Sequence, residues 1–204
     1  MTLRKYEYHG ILFLLLFVIC SVNPSNATAG EPTEEIRHTT DRIIAVVSDP
    51  ALKSPENASE RKKLIREAVD ERFDWEEMSR RTLARNWVGR TDDEKKEFID
   101  LFGKLLERTY LEKVEDYSGE KVSYIDEKID GDYAIVKVNI LTKNDREIPV
   151  FYRLKSKNDK WFVYDILIEG VSLINNYRSQ FNSIITRSSY QGLIKKLRDS
   201  VEEK

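Results

Sequence analysis

The chain of 204 residues has one cysteine, Cys20, two histidines, and eight glycines scattered singly along its length. One thiol excludes an internal disulfide framework. No cluster of His and Cys has metal-ligand spacing, so a zinc-type site is excluded as well. The glycines fall at turns and never form the loop that cradles phosphates. Charge of one sign is also lacking: 34 basic and 36 acidic residues alternate along the chain, for a net charge of −2. That mixture lacks the basic stripe by which nucleic acid is bound, and no nucleic-acid partner is expected. The one long apolar run, residues 11–20, is far shorter than the roughly 20 residues a membrane-spanning helix needs.

That run has a different explanation. Arg4 and Lys5 precede it, and a polar stretch then leads to Ala27-Thr28-Ala29. A basic start, a short apolar centre and small residues at the end form a cleaved secretory signal, with cleavage expected after Ala29. Residues 30–204 then form the mature protein as one domain. It loses Cys20 with the leader and is free of thiols, which suits an oxidising compartment. No linker or repeat divides it.

The first part of the mature chain reads as helices. Ile36, Ile43, Ile44 and Val47 fit one helical face that ends at Asp49-Pro50. Leu64, Ile65, Ala68 and Val69 mark a second helix. Asp74-Trp75-Glu76-Glu77 and Thr91-Asp92-Asp93-Glu94 are two capping boxes. The first opens a short helix through Leu83. The second opens the longest, over 92–117, with Phe98, Leu101, Phe102, Leu105, Leu106, Tyr110, Val114 and Tyr117 along one side. After Ser118-Gly119 the period changes to two, giving strands at 121–127, 133–141, 147–155 and 161–168 between good turn sequences. Helical spacing returns with Ile174, Tyr177, Phe181, Ile184 and Ile185, and again with Leu193, Ile194, Leu197 and Val201. The fold class is α+β, with helices packed on a four-stranded antiparallel meander. The fourth strand is apolar on both faces, so it is expected to be central or covered twice.

Residues 161–181 hold the most specific pattern. Asp165 and Glu169 sit among apolar residues in a strand that breaks at Gly170 and continues as a helix. Such a segment builds the floor of an active site or lines an apolar pocket. Tyr164 with Asp165 and Glu169 could abstract a proton beside a carbonyl. Tyr164 and Asp165 are adjacent in a strand, however, and point to opposite faces. The carboxylates read better as groups that fix the fold: Glu169 on backbone N–H groups or an arginine, Asp165 with a basic residue of a covering helix. His38, the one histidine left in the mature chain, falls in a charged surface context. No catalytic residue, metal or cofactor is expected.

The pattern Trp161-x-x-Tyr164-Asp165-x-x-x-Glu169-Gly170-Val171-Ser172, continued by Asn176-Tyr177-Arg178-Ser179-Gln180-Phe181, resembles the signature of the MlaC/toluene-tolerance family. The similarity extends to Trp87 ahead of the Thr91 box, and to Phe98, Phe102, Leu105 and Tyr110. It implies an NTF2-like sheet enclosing a hydrophobic pocket for acyl chains, with the head group near solvent. It also implies a monomeric periplasmic phospholipid carrier. Such a protein shuttles lipid between an inner-membrane ABC transporter complex and an outer-membrane lipoprotein complex, and so maintains outer-membrane lipid asymmetry. The physical case is simple. Each methylene kept out of water contributes roughly 0.8 kcal/mol, so an acyl chain crosses an aqueous space only when enclosed. The expected lining is Phe98, Phe102, Leu105, Tyr110, Val136, Val138, Ile140, Val150, Tyr152, Tyr164, Ile166, Val171, Ile174 and Tyr177. Two alternatives stay open: an NTF2-like enzyme acting on a hydrophobic small molecule, and an envelope chaperone holding an apolar polypeptide segment.

Overall fold

The computed structural model describes residues 31–117 and 119–202. The leader expected at 1–29 lies outside them. Four helices come first. α1 (Pro32–Ser48) carries proline in its first turn, where the missing N–H is no loss. Its own N-cap residue offers no side-chain bond; instead Glu127, from the first strand, accepts from the Thr33 backbone N–H at 2.6 Å. A carboxylate there also complements the helix dipole. α2 (Ala58–Arg72) follows two short 3₁₀ turns.

The two capping boxes differ. Before α3 (Trp75–Leu83), Asp74 accepts from the Glu77 N–H at 3.0 Å, but the Glu77 side chain turns to Arg80 and Arg81. Before α4 (Asp92–Glu115) the box is reciprocal. Thr91 N–H donates to Glu94, and Glu94 N–H donates to the Thr91 hydroxyl.

The sheet has five strands rather than four, antiparallel throughout and in sequential order. They are β1 (Lys121–Asp130), β2 (Tyr133–Leu141), β3 (Glu147–Lys157), β4 (Lys160–Ile168) and β5 (Val171–Ser172). The fifth is only two residues, too short to show a period. It forms because Glu169 and Gly170 take φ of 51° and 82°, the two left-handed positions of a tight hairpin turn. The helix expected after Gly170 therefore begins three residues later, as α5 (Leu173–Arg187), and α6 (Tyr190–Glu202) ends the described chain.

The two-sided apolarity of β4 is explained by a bulge. Val163 pairs with Leu154 and Asp165 pairs with Arg153, which leaves Tyr164 as an extra residue. The alternation resets there, so Trp161, Val163, Ile166 and Ile168 all share the face of Leu154, Tyr152 and Val150. β1 has a similar irregularity at Ile125.

Two apolar clusters result. One is helical, built by α3, α4, α5 and α6 around Phe98, Phe102, Tyr177, Phe181 and Leu193. The other lies between α1 and the sheet, around Ile36, Val136, Val138, Leu154 and Val163. Phe73 packs against both.

Candidate functional site

A cavity of about 250 Å³ opens between these clusters. Three helices wall it, each with residues at helical spacing. α1 supplies Ile36, Thr39, Thr40 and Ile43; α2 supplies Lys62, Ile65, Arg66, Val69 and Arg72; α4 supplies Gly103, Leu106, Glu107, Tyr110, Leu111 and Val114. The sheet contributes Tyr152, Ile166 and Ile168, and Phe73, Trp75, Met78 and Leu173 complete the wall. The surface is overwhelmingly apolar.

Its polar groups are concentrated in two places. One is Arg72, only 4% exposed, which is fully engaged: it donates to Thr39 at 3.2 Å and to the Trp161 carbonyl at 2.6 Å, and pairs with Glu35. An unpaired charge at that depth would be prohibitive. The other is the outer rim. Lys62 reaches Glu107 at 3.2 Å, and Arg66 reaches Glu107 at 2.9 Å and Asp70 at 2.7 Å. Burial works against the Arg66 charge, yet the hydrogen bonds and charges of Asp70 and Glu107 outweigh it and raise its pKa. The guanidinium also lies over Trp75, 5.2 Å from the ring centroid. Gly103 makes this possible, since a Cβ there would stand 3.1 Å from an Arg66 nitrogen.

Of the lining residues expected from sequence, Tyr110, Tyr152 and Ile166 border this cavity. The structure places the others elsewhere. Phe98, Phe102, Ile174 and Tyr177 are packed in the helical cluster, and Leu105 lies against it, because α5 and α6 fill the space in front of them. Val136, Val138 and Val150 belong to the sheet cluster under α1, with Ile140 at its margin. Tyr164, displaced by the bulge, sits beneath Arg81 at 4.0 Å and edge-on to Tyr133. Val171 is 62% exposed on β5. The α1 and α2 contributions were missed, although Ile36, Ile43, Ile65 and Val69 already stood out as helical stripes.

The carboxylates of 161–181 are structural and lie outside the cavity lining. Asp165 accepts from the Ser172 hydroxyl at 2.8 Å, the Ile174 N–H at 3.1 Å and Arg153 at 3.2 Å. Its basic partner is thus on the neighbouring strand, not on a covering helix. Glu169 pairs with Arg146 at 2.6 Å near the surface. No group of acidic, histidine or cysteine residues that could hold a metal occurs among the described residues. Nor is any described helix long and apolar enough to cross a membrane.

An antiparallel sheet and a three-helix wall around an apolar, charge-rimmed cavity define an α+β binding protein for a greasy ligand. The chain belongs to the MlaC family: the family described as MlaC protein matches residues 37–199. It is 21% identical, over 197 residues, to the intermembrane phospholipid transport system binding protein MlaC of Haemophilus influenzae, covering 93% of this chain and 92% of that one. A solved phospholipid-binding protein from Ralstonia solanacearum, in complex with a phospholipid, shares the fold. Its TM-score is 0.76 at 24% identity, covering 84% of this chain and 97% of the other.

Proposed function

We propose that this protein is a periplasmic phospholipid carrier, exported by the leader at 1–29 and functioning as the single domain 30–204. It takes lipid from one envelope membrane complex and delivers it to another, the ABC transporter complex of the inner membrane and the lipoprotein complex of the outer membrane. It does so without chemical change to the lipid, and the traffic maintains outer-membrane lipid asymmetry. The observation that carries this reading is the cavity itself, apolar along its length and charged only at Arg72 and the Lys62–Arg66–Glu107 rim. Burying acyl methylenes there supplies the driving force, at roughly 0.8 kcal/mol each. The cavity approaches the lower end of the roughly 300–1,000 Å³ typical of small-molecule pockets. It accommodates acyl chain and leaves the head group outside, beside rim cations suited to a phosphate.

Mass spectrometry of an organic extract of natively purified protein tests the proposal. Stoichiometric phospholipid, reacquired from vesicles after delipidation, is the expected result. Protein that carries no lipid and takes none from vesicles would refute it. Turnover of a hydrophobic small molecule would favour an enzyme, and a co-purified polypeptide a chaperone.

A further inference from the structure

The cavity wall contains two hydroxyl groups without a hydrogen-bond partner among the described residues, those of Tyr110 and Tyr152. They differ in setting. Tyr110 is only partly covered and lies beside the Lys113 ammonium, 5.7 Å from its ring centroid. Tyr152 is half-buried at the centre of β3, with Val136 on one side and Ile166 on the other. The surface it retains opens onto the cavity. On the same face of the sheet, Tyr124 of β1 also buries its phenol, beside the Thr40 hydroxyl. The Thr40 hydroxyl donates to the Ile36 carbonyl at 2.9 Å and keeps its lone pairs free to accept from Tyr124. Burial, reinforced by Tyr124, pushes the Tyr152 phenol up to about 12, so it stays protonated and able to donate throughout the physiological range.

A phenol on a cavity wall that finds no partner in the protein forgoes a hydrogen bond, and phenylalanine would fill the same space without that loss. A phenol on a cavity wall can recover the loss from its ligand. We propose that Tyr152 is a hydrogen-bonding station inside the acyl cavity, which takes an oxygen atom of the buried part of the lipid. Two sources offer that oxygen: the ester carbonyl that joins chain to glycerol, and a hydroxyl on the chain. The inference rests on the carrier reading and adds selection to it. A purely apolar cavity ranks lipids by methylene count alone, whereas this one also favours chains that carry oxygen at the right depth.

Competitive uptake by delipidated protein, read by native mass spectrometry, separates the possibilities. One pair of vesicle lipids is diacyl phosphatidylglycerol against its dialkyl ether analogue of equal chain length. The other is a 12-hydroxystearoyl against a stearoyl phospholipid. Wild type is expected to favour the oxygenated member of at least one pair by about fivefold. Tyr152→Phe should abolish that preference, keep uptake of the ether lipid, and melt no lower than wild type when lipid-free. Equal uptake within both pairs by wild type would overturn the inference, as would a preference that survives in Tyr152→Phe. A lipid-free variant that melts lower would show the hydroxyl to be structural and overturn it too. Uptake of none of the four lipids by wild type would overturn the carrier reading and this inference with it.

Discussion

Between Phe98 and Leu105, α4 packs its aromatic side against α5 and α6; Gly103 and the stretch from Leu106 to Val114 face the cavity. In the first stretch Phe102 meets Tyr177 edge-on at 5.4 Å and Phe181 at 5.7 Å, and Phe98 meets Phe181 at 5.8 Å. These rings are buried and close the space between helices. In the second stretch the residue types are similar, with Tyr110, Leu111 and Val114 at the same spacing. Opposite them stand α1, α2 and the sheet, with Thr40, Val69, Tyr152 and Ile168 across the cavity. The space between them stays open as the cavity. Whether an apolar stripe becomes core or wall is decided by the shape of its opponent, not by the stripe.

That contrast can be broken most severely at its packed end. Phe102→Ala should cost about 3–5 kcal/mol, by loss of burial and by the cavity left behind. In thermal denaturation this appears as a fall of roughly 10 °C or more. Asp165→Ala attacks the same end indirectly, because Asp165 holds the first turn of α5, which carries Tyr177 and Phe181. About 2 kcal/mol is expected from the lost cap and the stranded polar partners, measured by urea unfolding.

The wall end should respond in the opposite sense. Leu111→Ala is expected to cost only about 1 kcal/mol in stability, since the residue is half-buried. Lipid retention after dialysis against acceptor vesicles should fall several-fold. A stability loss as large as that of Phe102→Ala would show that the two halves are one core.

The smallest effect concerns α3, which sets Met78 on the border of both regions. Burial alone would raise the pKa of the neighbouring Glu77 carboxyl, but hydrogen bonds from Arg80 and Arg81, with their charges, hold it below the ordinary value of 4.5. A depressed folded pKa contributes stability above the ordinary value, and that contribution is lost as pH falls from there through the folded value. Glu77→Gln should flatten this acid limb in melting experiments, by less than about 1 kcal/mol.

Much of the architecture was legible because it rests on local rules. The bounds of α3, the Thr91–Glu94 box and the succession of strands all follow from caps, turns and periods. The cavity was less legible. Ile36 and Phe98 each read as apolar residues on a helical stripe, and nothing local says that one borders a cavity and the other two packed rings. Tyr152 could be named for its place in an apolar row, but its lack of a partner appears only once the neighbouring strands are in register. Tyr164 was misplaced for a sharper reason. Its side follows from strict alternation, and alternation fails at the bulge.

That irregularity in β4 has a consequence for how the chain can change length. With Tyr164 as a supernumerary residue, Ile166 and Ile168 face the cavity and Asp165 the opposite side, buried at the start of α5. A chain one residue shorter at this point would keep every inward side chain inward along a plain strand, and would lose the contacts of Tyr164 with Arg81 and Tyr133. A chain one residue longer would have to house a second supernumerary residue or turn Asp165 toward the lipid. Tolerance to insertion and deletion is therefore lopsided at this position, and descendants of the sequence can shed a residue there more readily than gain one.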